Sequence, residues 1–249
     1  MIERSLELPL AIVFWKLRMR ALRQYVKMCS SGVPNQLQDQ LLTALTILLM
    51  IVMFVLAPLH AAGVIKSQGY GFAGVAVVTG GVLLISGSLI AVSAMLLGIG
   101  LAAAATLLGL QKHSILDVHL NAIAWTIMGF ALSWVVARAV FAPGRVTYHR
   151  IIGAVLLYLS MGVVFVGVFA FVALVAPGAI SGLQMEDDAT LASKLIYFSF
   201  GTPTTVGSGD MVPVHPFARS LSIIEAMIGQ LYPATLLARL VTLEIEGSR

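Results

Sequence analysis

The sequence predicts an all-α membrane protein: six transmembrane helices, with a short re-entrant helix and an extended loop between the fifth and the sixth. Three observations carry this expectation. Of the 249 residues, 59% are hydrophobic and only 10% are charged, whereas a soluble domain carries about 25% charged residues. A chain this apolar cannot clothe itself in a polar shell, and a bilayer is its natural solvent. The apolar residues come in tracts of the roughly 20 residues that a spanning helix needs. Between the last two tracts, residues 191–214 are partly apolar but interrupted by Gly and Pro, too short and too broken to cross.

The first span is 41–59. A second tract, 71–110, is about 40 residues long, too long for one span and right for two. It holds no ionisable residue, and the break is placed at 95–98, where Gly98 and Gly100 weaken a helix. The fourth span is 118–140, the fifth 151–175, ending at Pro177-Gly178, and the sixth 217–243.

Lys and Arg in the short loops set the orientation. The N-terminal segment holds Arg4, Lys16, Arg18, Arg20, Arg23 and Lys27, the loop after span four holds Arg138, Arg145 and Arg150, and the C-terminal end holds Arg239 and Arg249. With six spans these three regions share one side, and the other side has only Lys66, Lys112, Lys194 and Arg219. Both termini are therefore placed in the cytoplasm, in a multi-pass protein of the plasma (inner) membrane. The basic clusters point to a lipid leaflet, not to nucleic acid.

Residues 1–40 form a separate segment. An apolar stretch, 6–15, precedes the basic one, which is the wrong order for a secretory signal. Lys16, Arg18, Arg20, Arg23 and Lys27 with Leu17, Leu22 and Val26 suit either a helix lying on the membrane surface or a basic tail without fixed structure. One cysteine, Cys29, leaves no internal disulfide framework.

The informative stretch is 197–210. Residues 191–202 suit a short helix, and Pro203 stops it, since proline inside a helix costs about 3 kcal/mol. Entering from outside, such a helix aims its carbonyl end, roughly half a negative charge, at the membrane centre, where it favours a cation. The chain must then return to the outer surface in extended form. Irregular backbone at that depth survives only when buried in protein or lining a water-filled path. Thr205 to Gly209 would reach about 16 Å extended. Gly207 and Gly209 permit positive φ, so alternating backbone handedness can turn successive carbonyls toward one axis. The Thr205 hydroxyl adds an oxygen at the inner end. Stacked rings of such oxygens replace the water shell of a monovalent cation. One strand supplies one oxygen per ring, so several chains must surround the axis.

Thr204-Thr205-Val206-Gly207-Ser208-Gly209-Asp210 resembles the Thr-Thr-Val-Gly-Tyr-Gly-Asp filter of potassium channels. Tyr197-Phe198-Ser199-Phe200 before it, Val212-Pro213 after it, Ala218-Arg219-Ser220-Leu221, and Glu225-Ala226-Met227-Ile228-Gly229-Gln230-Leu231-Tyr232 extend the likeness to the two-helix pore module of bacterial potassium channels, over roughly residues 150–245. The resemblance implies a homotetramer in membrane lipid and a K+ filter at Thr205, Val206, Gly207, Ser208 and Gly209. Thr204, Asp210, Tyr197, Gly201 and Thr202 would support the filter. The inner helix would line the cytoplasmic half of the path, and permeant K+, with Na+ as a second candidate, is the only ligand implied. On this reading 41–142 is a four-helix domain in the position of a voltage sensor, and 143–249 is the pore domain.

Three positions depart from that pattern. Ser208 stands where the family has an aromatic that packs behind the filter, Gly201 where a larger residue is usual, and Pro203 where an apolar one is. All three thin the rear of the filter, so a wider, non-selective monovalent cation pore is the alternative. A secondary transporter is a different class; inverted repeats would mark it, and none is found. No catalytic Ser-His-Asp set, phosphate loop or metal-spaced histidines appear, so an enzyme is not expected.

Gating features are sparse. Voltage sensing needs several charges in the field, and span four offers Arg138 alone, so weak or absent voltage dependence is expected. Gly229 and Pro233 make either a hinge or a fixed kink. Ile228, Tyr232, Thr235 and Arg239 fall on one helical stripe that is a candidate for the conduction path. Glu225, deep in span six, is expected to be paired or to face water, with the back of the short helix near Thr202, or a neighbouring chain's copy of Arg219, as its candidate partners. Asp210 is expected at the outer mouth, bonded to Tyr197, and Glu186, Asp187 and Asp188 are either cation-concentrating acids or a solvated loop.

Overall fold

The computed structural model describes residues 35–65, 79, 82, 89–111, 115–141, 148–184 and 190–247. The N-terminal basic segment, Glu186, Asp187, Asp188, Lys66, Lys112 and Arg145 lie outside those residues.

The described residues are almost entirely helical. Helix α1 (Asn35–Ile51) passes through one π-helical turn (Val52–Leu56) into α2 (Ala57–Ala61), with helical backbone at both junctions. In the wide turn the Ala57 N–H reaches back to the Val52 carbonyl. Pro58 has no N–H to offer the Phe54 carbonyl, and the ladder is reset in the turn just before it. Then come α3 (Leu89–Gln111), α4 (Ile115–Val140), α5 (Tyr148–Val175), the short α6 (Leu191–Gly201) and α7 (Pro216–Gly247). Four stretches are long and apolar enough to cross a membrane: Gln40–Ala61, Val118–Val140, Ile151–Val175 and Pro216–Arg239. Ile90–Ala105 of α3 is a shorter apolar stretch.

One expectation needs correction. The break placed at 95–98 does not exist: α3 runs unbroken through it. Gly98 is there for packing, because a Cβ on it would sit 2.5 Å from Cγ of Met128 on α4. A glycine that lets two helices approach looks, in sequence, like a glycine that ends one.

The same device sets the other contacts. A Cβ on Gly167 of α5 would meet the Thr126 hydroxyl of α4 at 2.2 Å, and one on Gly129 of α4 would meet Val164 of α5 at 3.0 Å. Ser133 of α4 donates to Ser160 of α5 at 2.9 Å, and Ser160 is fully buried. Helix α1 lies parallel to α5, with Leu42 against Gly153 and the Thr46 hydroxyl within 3.4 Å of the Ile152 carbonyl. Leu45, Val82, Met95, Val136 and Leu156 share the resulting core.

The C-terminal end of α5 is tied to the strand that precedes α7. After the turn at Gly178 (φ +80°), β1 (Ile180–Ser181) pairs antiparallel with β2 (Val212–Pro213), Ile180 opposite Pro213 and Ser181 opposite Val212. The Ala179 carbonyl also accepts the N–H groups of Val214 and His215, at 2.9 and 3.1 Å.

Candidate functional site

Helix α6 is wedged between α5 and α7 by its buried face. Phe198 meets Phe169 of α5 edge to face, centroids 4.9 Å apart. Phe200 lies on Gly162, where any Cβ would clash with its ring at 2.3 Å, and its other side meets Phe54 of the π turn at 5.1 Å. Gly162 lies halfway along the spanning stretch Ile151–Val175. The C-terminal end of α6 is thus level with the middle of α5. The chain then returns to β2, beside the C-terminal end of α5.

The last carbonyls of α6 are capped by the residues that follow it. Thr202 Oγ1 donates to the Phe198 carbonyl at 3.2 Å, and Thr204 Oγ1 donates to that of Phe200. The Gly207 N–H donates to the Gly201 carbonyl at 2.9 Å, and the Thr205 N–H to that of Thr202 at 3.2 Å. These bonds fix the foot of the strand to the helix end, while the helix dipole still directs its negative end there.

The strand itself has the alternation expected of it, displaced by one step. Positive φ occurs at Thr205 (+62°) and Gly207 (+70°), not at Gly209. For a β-branched residue this conformation is rare and costs on the order of 1–3 kcal/mol, a strain that collects at functional sites. The Thr205 hydroxyl donates to the Thr204 carbonyl at 2.6 Å, which leaves its lone pairs to accept or ligate. Thr204, Thr205, Val206, Gly207, Gly209 and Asp210 are exposed and Ser208 is half-buried. Val206, an apolar side chain in an apolar molecule, is 75% exposed within its own chain.

The three departures each have a visible consequence. The Ser208 hydroxyl turns to the Met211 carbonyl (3.1 Å) and props nothing behind the strand. Gly201 has room for a methyl group, whose nearest neighbour would be the Gly207 carbonyl carbon at 3.6 Å. Pro203 is seated on α7: a Cβ on Gly229 would meet the Pro203 Cβ at 2.3 Å, and Gln230 Nε2 donates to the Pro203 carbonyl at 3.3 Å.

Other expected residues fall differently. Asp210 and Tyr197 are both exposed, and no hydrogen bond joins them within the chain, because Tyr197 lies on the opposite face of α6 from the buried residues Phe198 and Ser199. Helix α7 continues through Gly229 and Pro233. Of its stripe of Ile228, Tyr232 and Arg239, the last two meet the rest of the chain. The Tyr232 hydroxyl donates to the Ala154 carbonyl of α5 at 2.8 Å, its ring stacks on Tyr158 at 6.1 Å, and Arg239 lies over Phe141. Thr235 is exposed and bonds the Tyr232 carbonyl. The uncovered face of α7 instead carries Ile224, Met227, Leu231 and Leu237. Arg138 sits over the Trp134 ring at 5.2 Å, and Arg219 donates to the Pro213 carbonyl, away from Glu225.

Glu225 does reach the back of α6, but at Ser199, not near Thr202: the Ser199 hydroxyl lies 2.5 Å from Glu225 Oε1, and both residues are buried. Sequence reading did not single out Ser199. The available signal was a serine among aromatics on the face of α6 that also bears Phe198.

Residues 158–245 match a family model described as an ion channel. The match begins in α5, takes in α6, the strand and both β segments, ends in α7, and covers about a third of the chain. No curated relative and no solved structure matches the chain. Residues 158–245 are thus similar to an ion-channel domain, and the family matched is one of channels, not enzymes.

Proposed function

We propose that the chain is one subunit of a homotetrameric potassium channel, passing K+ down its gradient between the carbonyls of Thr205, Val206, Gly207, Ser208 and Gly209. The observation that carries this reading is the bare strand. At the depth of mid-membrane the backbone after α6 leaves helical form, alternates in hand and lies uncovered. Such backbone is tolerated only against protein or water, and a ring of four copies around a wet axis supplies both. The open face of α7 offers the surface on which copies meet.

Six spans fit the helix directions. α4 is antiparallel to α5 and α3 to α4, so α3 runs parallel to α5 and to α1. The chain therefore changes sides between α2 and α3, and Thr79 and Val82, helical and buried, lie in that interval. The start of α1, the end of α4, the start of α5 and the end of α7 share one side, which the arginines make cytoplasmic. Arg138 resting on an aromatic ring is an interfacial anchor, in keeping with weak or absent voltage dependence. A hinge at Gly229 and Pro233 would lift Gly229 off Pro203, so bending there would move the foot of the filter.

A second reading, a non-selective monovalent cation channel, is favoured by the Ser208 hydroxyl folding onto Met211 and by the space at Gly201. Reversal potentials of reconstituted protein under bi-ionic K+ and Na+ separate the two. A large displacement from zero is the expected result; a value near zero supports the non-selective pore. Absence of any cation current from a verified tetramer would reject both.

A further inference from the structure

The buried carboxyl of Glu225 has no part in the proposed filter itself, yet it lies against the back of α6, the helix that carries it. It is 2% exposed, and Ser199 is fully buried. Ser199 Oγ is 2.5 Å from Glu225 Oε1 and 3.2 Å from the carbonyl of Gly162 on α5. The three groups come together because Gly162 lets α6 lie flat on α5. No cation forms an ion pair with Glu225 among the described residues. Glu225 Oε2 and Ser222 Oγ are both buried without a hydrogen-bond partner. They are three residues apart on α7, where side chains face one another.

The hydrogen count decides the arrangement. A serine hydroxyl has one proton, while a peptide carbonyl and a carboxylate only accept. With an ionised Glu225, Ser199 faces two acceptors with one donor, and one contact must stay unfilled beside an uncompensated buried charge. With a carboxylic acid the sequence closes: Glu225 donates to Ser199, and Ser199 donates to the Gly162 carbonyl. A single water between Ser222 and Glu225 Oε2 would satisfy the two remaining atoms.

We infer that Glu225 is held as a neutral carboxylic acid. Its proton completes a hydrogen-bond relay from α7 through Ser199 to α5, and the relay makes Glu225 a positioning residue for the pore helix α6. The protonation state stands apart from conduction; the positioning role rests on the channel reading. The relay joins three helices at the level of the filter foot, where Pro203 and Gly229 also meet, so its loss shifts the end of α6 and the carbonyls hung from it.

The test is infrared spectroscopy of the full chain in lipid bilayers at neutral pH, comparing wild type with Glu225→Gln. A carboxylic-acid carbonyl band that moves in deuterated water and vanishes in E225Q is expected. Loss of a carboxylate band instead, or no difference in the acid region, overturns the neutral acid whether or not the protein conducts. For the positioning role, unitary current and reversal potential are read for E225A, S199A and E225Q, each verified as an assembled protein. Glu225→Ala and Ser199→Ala should lower the current several-fold, and Glu225→Gln, whose amide N–H can replace the acid proton, should recover it to within about twofold. Equal currents in all, or no recovery by glutamine, overturn that role.

Discussion

Helices α5 and α7 are similar in length, 28 and 32 residues, and both flank the same short helix, yet 56% of the spanning stretch of α5 is buried within the chain against 11% for α7. α5 is enclosed by α1, α4 and α6, through the glycines and serines that let their backbones close. α7 touches its own chain along one stripe, Glu225, Gly229 and Tyr232, and leaves the rest bare. Two spans of like length thus do different work within the chain. One is enclosed by the fold, and the other is left largely open, as is the exposed segment beside it. On the tetramer proposed above, that open side is where copies meet.

The sharpest way to break this contrast is to truncate one large apolar side chain on each helix. Phe169→Ala on α5 empties a fully buried site and should cost about 3–5 kcal/mol, read as a large drop in the thermal unfolding temperature of solubilised protein. Leu231→Ala on α7, at a position 58% exposed, should change the stability of the dissociated subunit by no more than about 0.5 kcal/mol. Equal losses would show that α7 is as integral to the single chain as α5. A polar substitution on the open face sharpens the point. Met227→Asn should cost the proposed tetramer about 1–2 kcal/mol per interface, seen as subunit dissociation by native mass spectrometry with helical content unchanged. The smallest effect is expected at the helix end beneath the strand. Gly201→Ala has room for its methyl and replaces a helical glycine, so it should stabilise by about 0.5–1 kcal/mol and leave the reversal potential unaltered.

Legibility in the sequence followed the range of the interactions. The span at 151–175, the short helix and its stop before Pro203, and the strand after it were readable because length, apolarity and proline act locally. The alternation of hand was readable as a principle but not as an address: glycine marks where positive φ is cheap, and Thr205 adopts it at a cost. The misplaced break at 95–98 has the opposite origin. Gly98 answers to Met128, thirty residues on, and nothing near Gly98 announces this. Ser199 and Glu225 are likewise partners across 26 residues, and Tyr232 turns to Ala154 and Tyr158 of α5. Which way a helical face turns is decided by what it packs against, and a single sequence does not carry that.

The return strand is fastened unevenly. Its foot is held by backbone bonds from Thr205 and Gly207, and its far end by the pairing of Val212 with Ser181. From Ser208 to Asp210 the hydrogen bond that ties the segment runs from the serine hydroxyl to the Met211 carbonyl. Compliance is therefore concentrated in these three consecutive residues. Amide hydrogens at Gly209 and Asp210 should trade with deuterium sooner than that of Gly207. In the tetramer proposed above, a change in the size of the permeant ion should alter exchange at that one level, while the backbone beneath it holds its place.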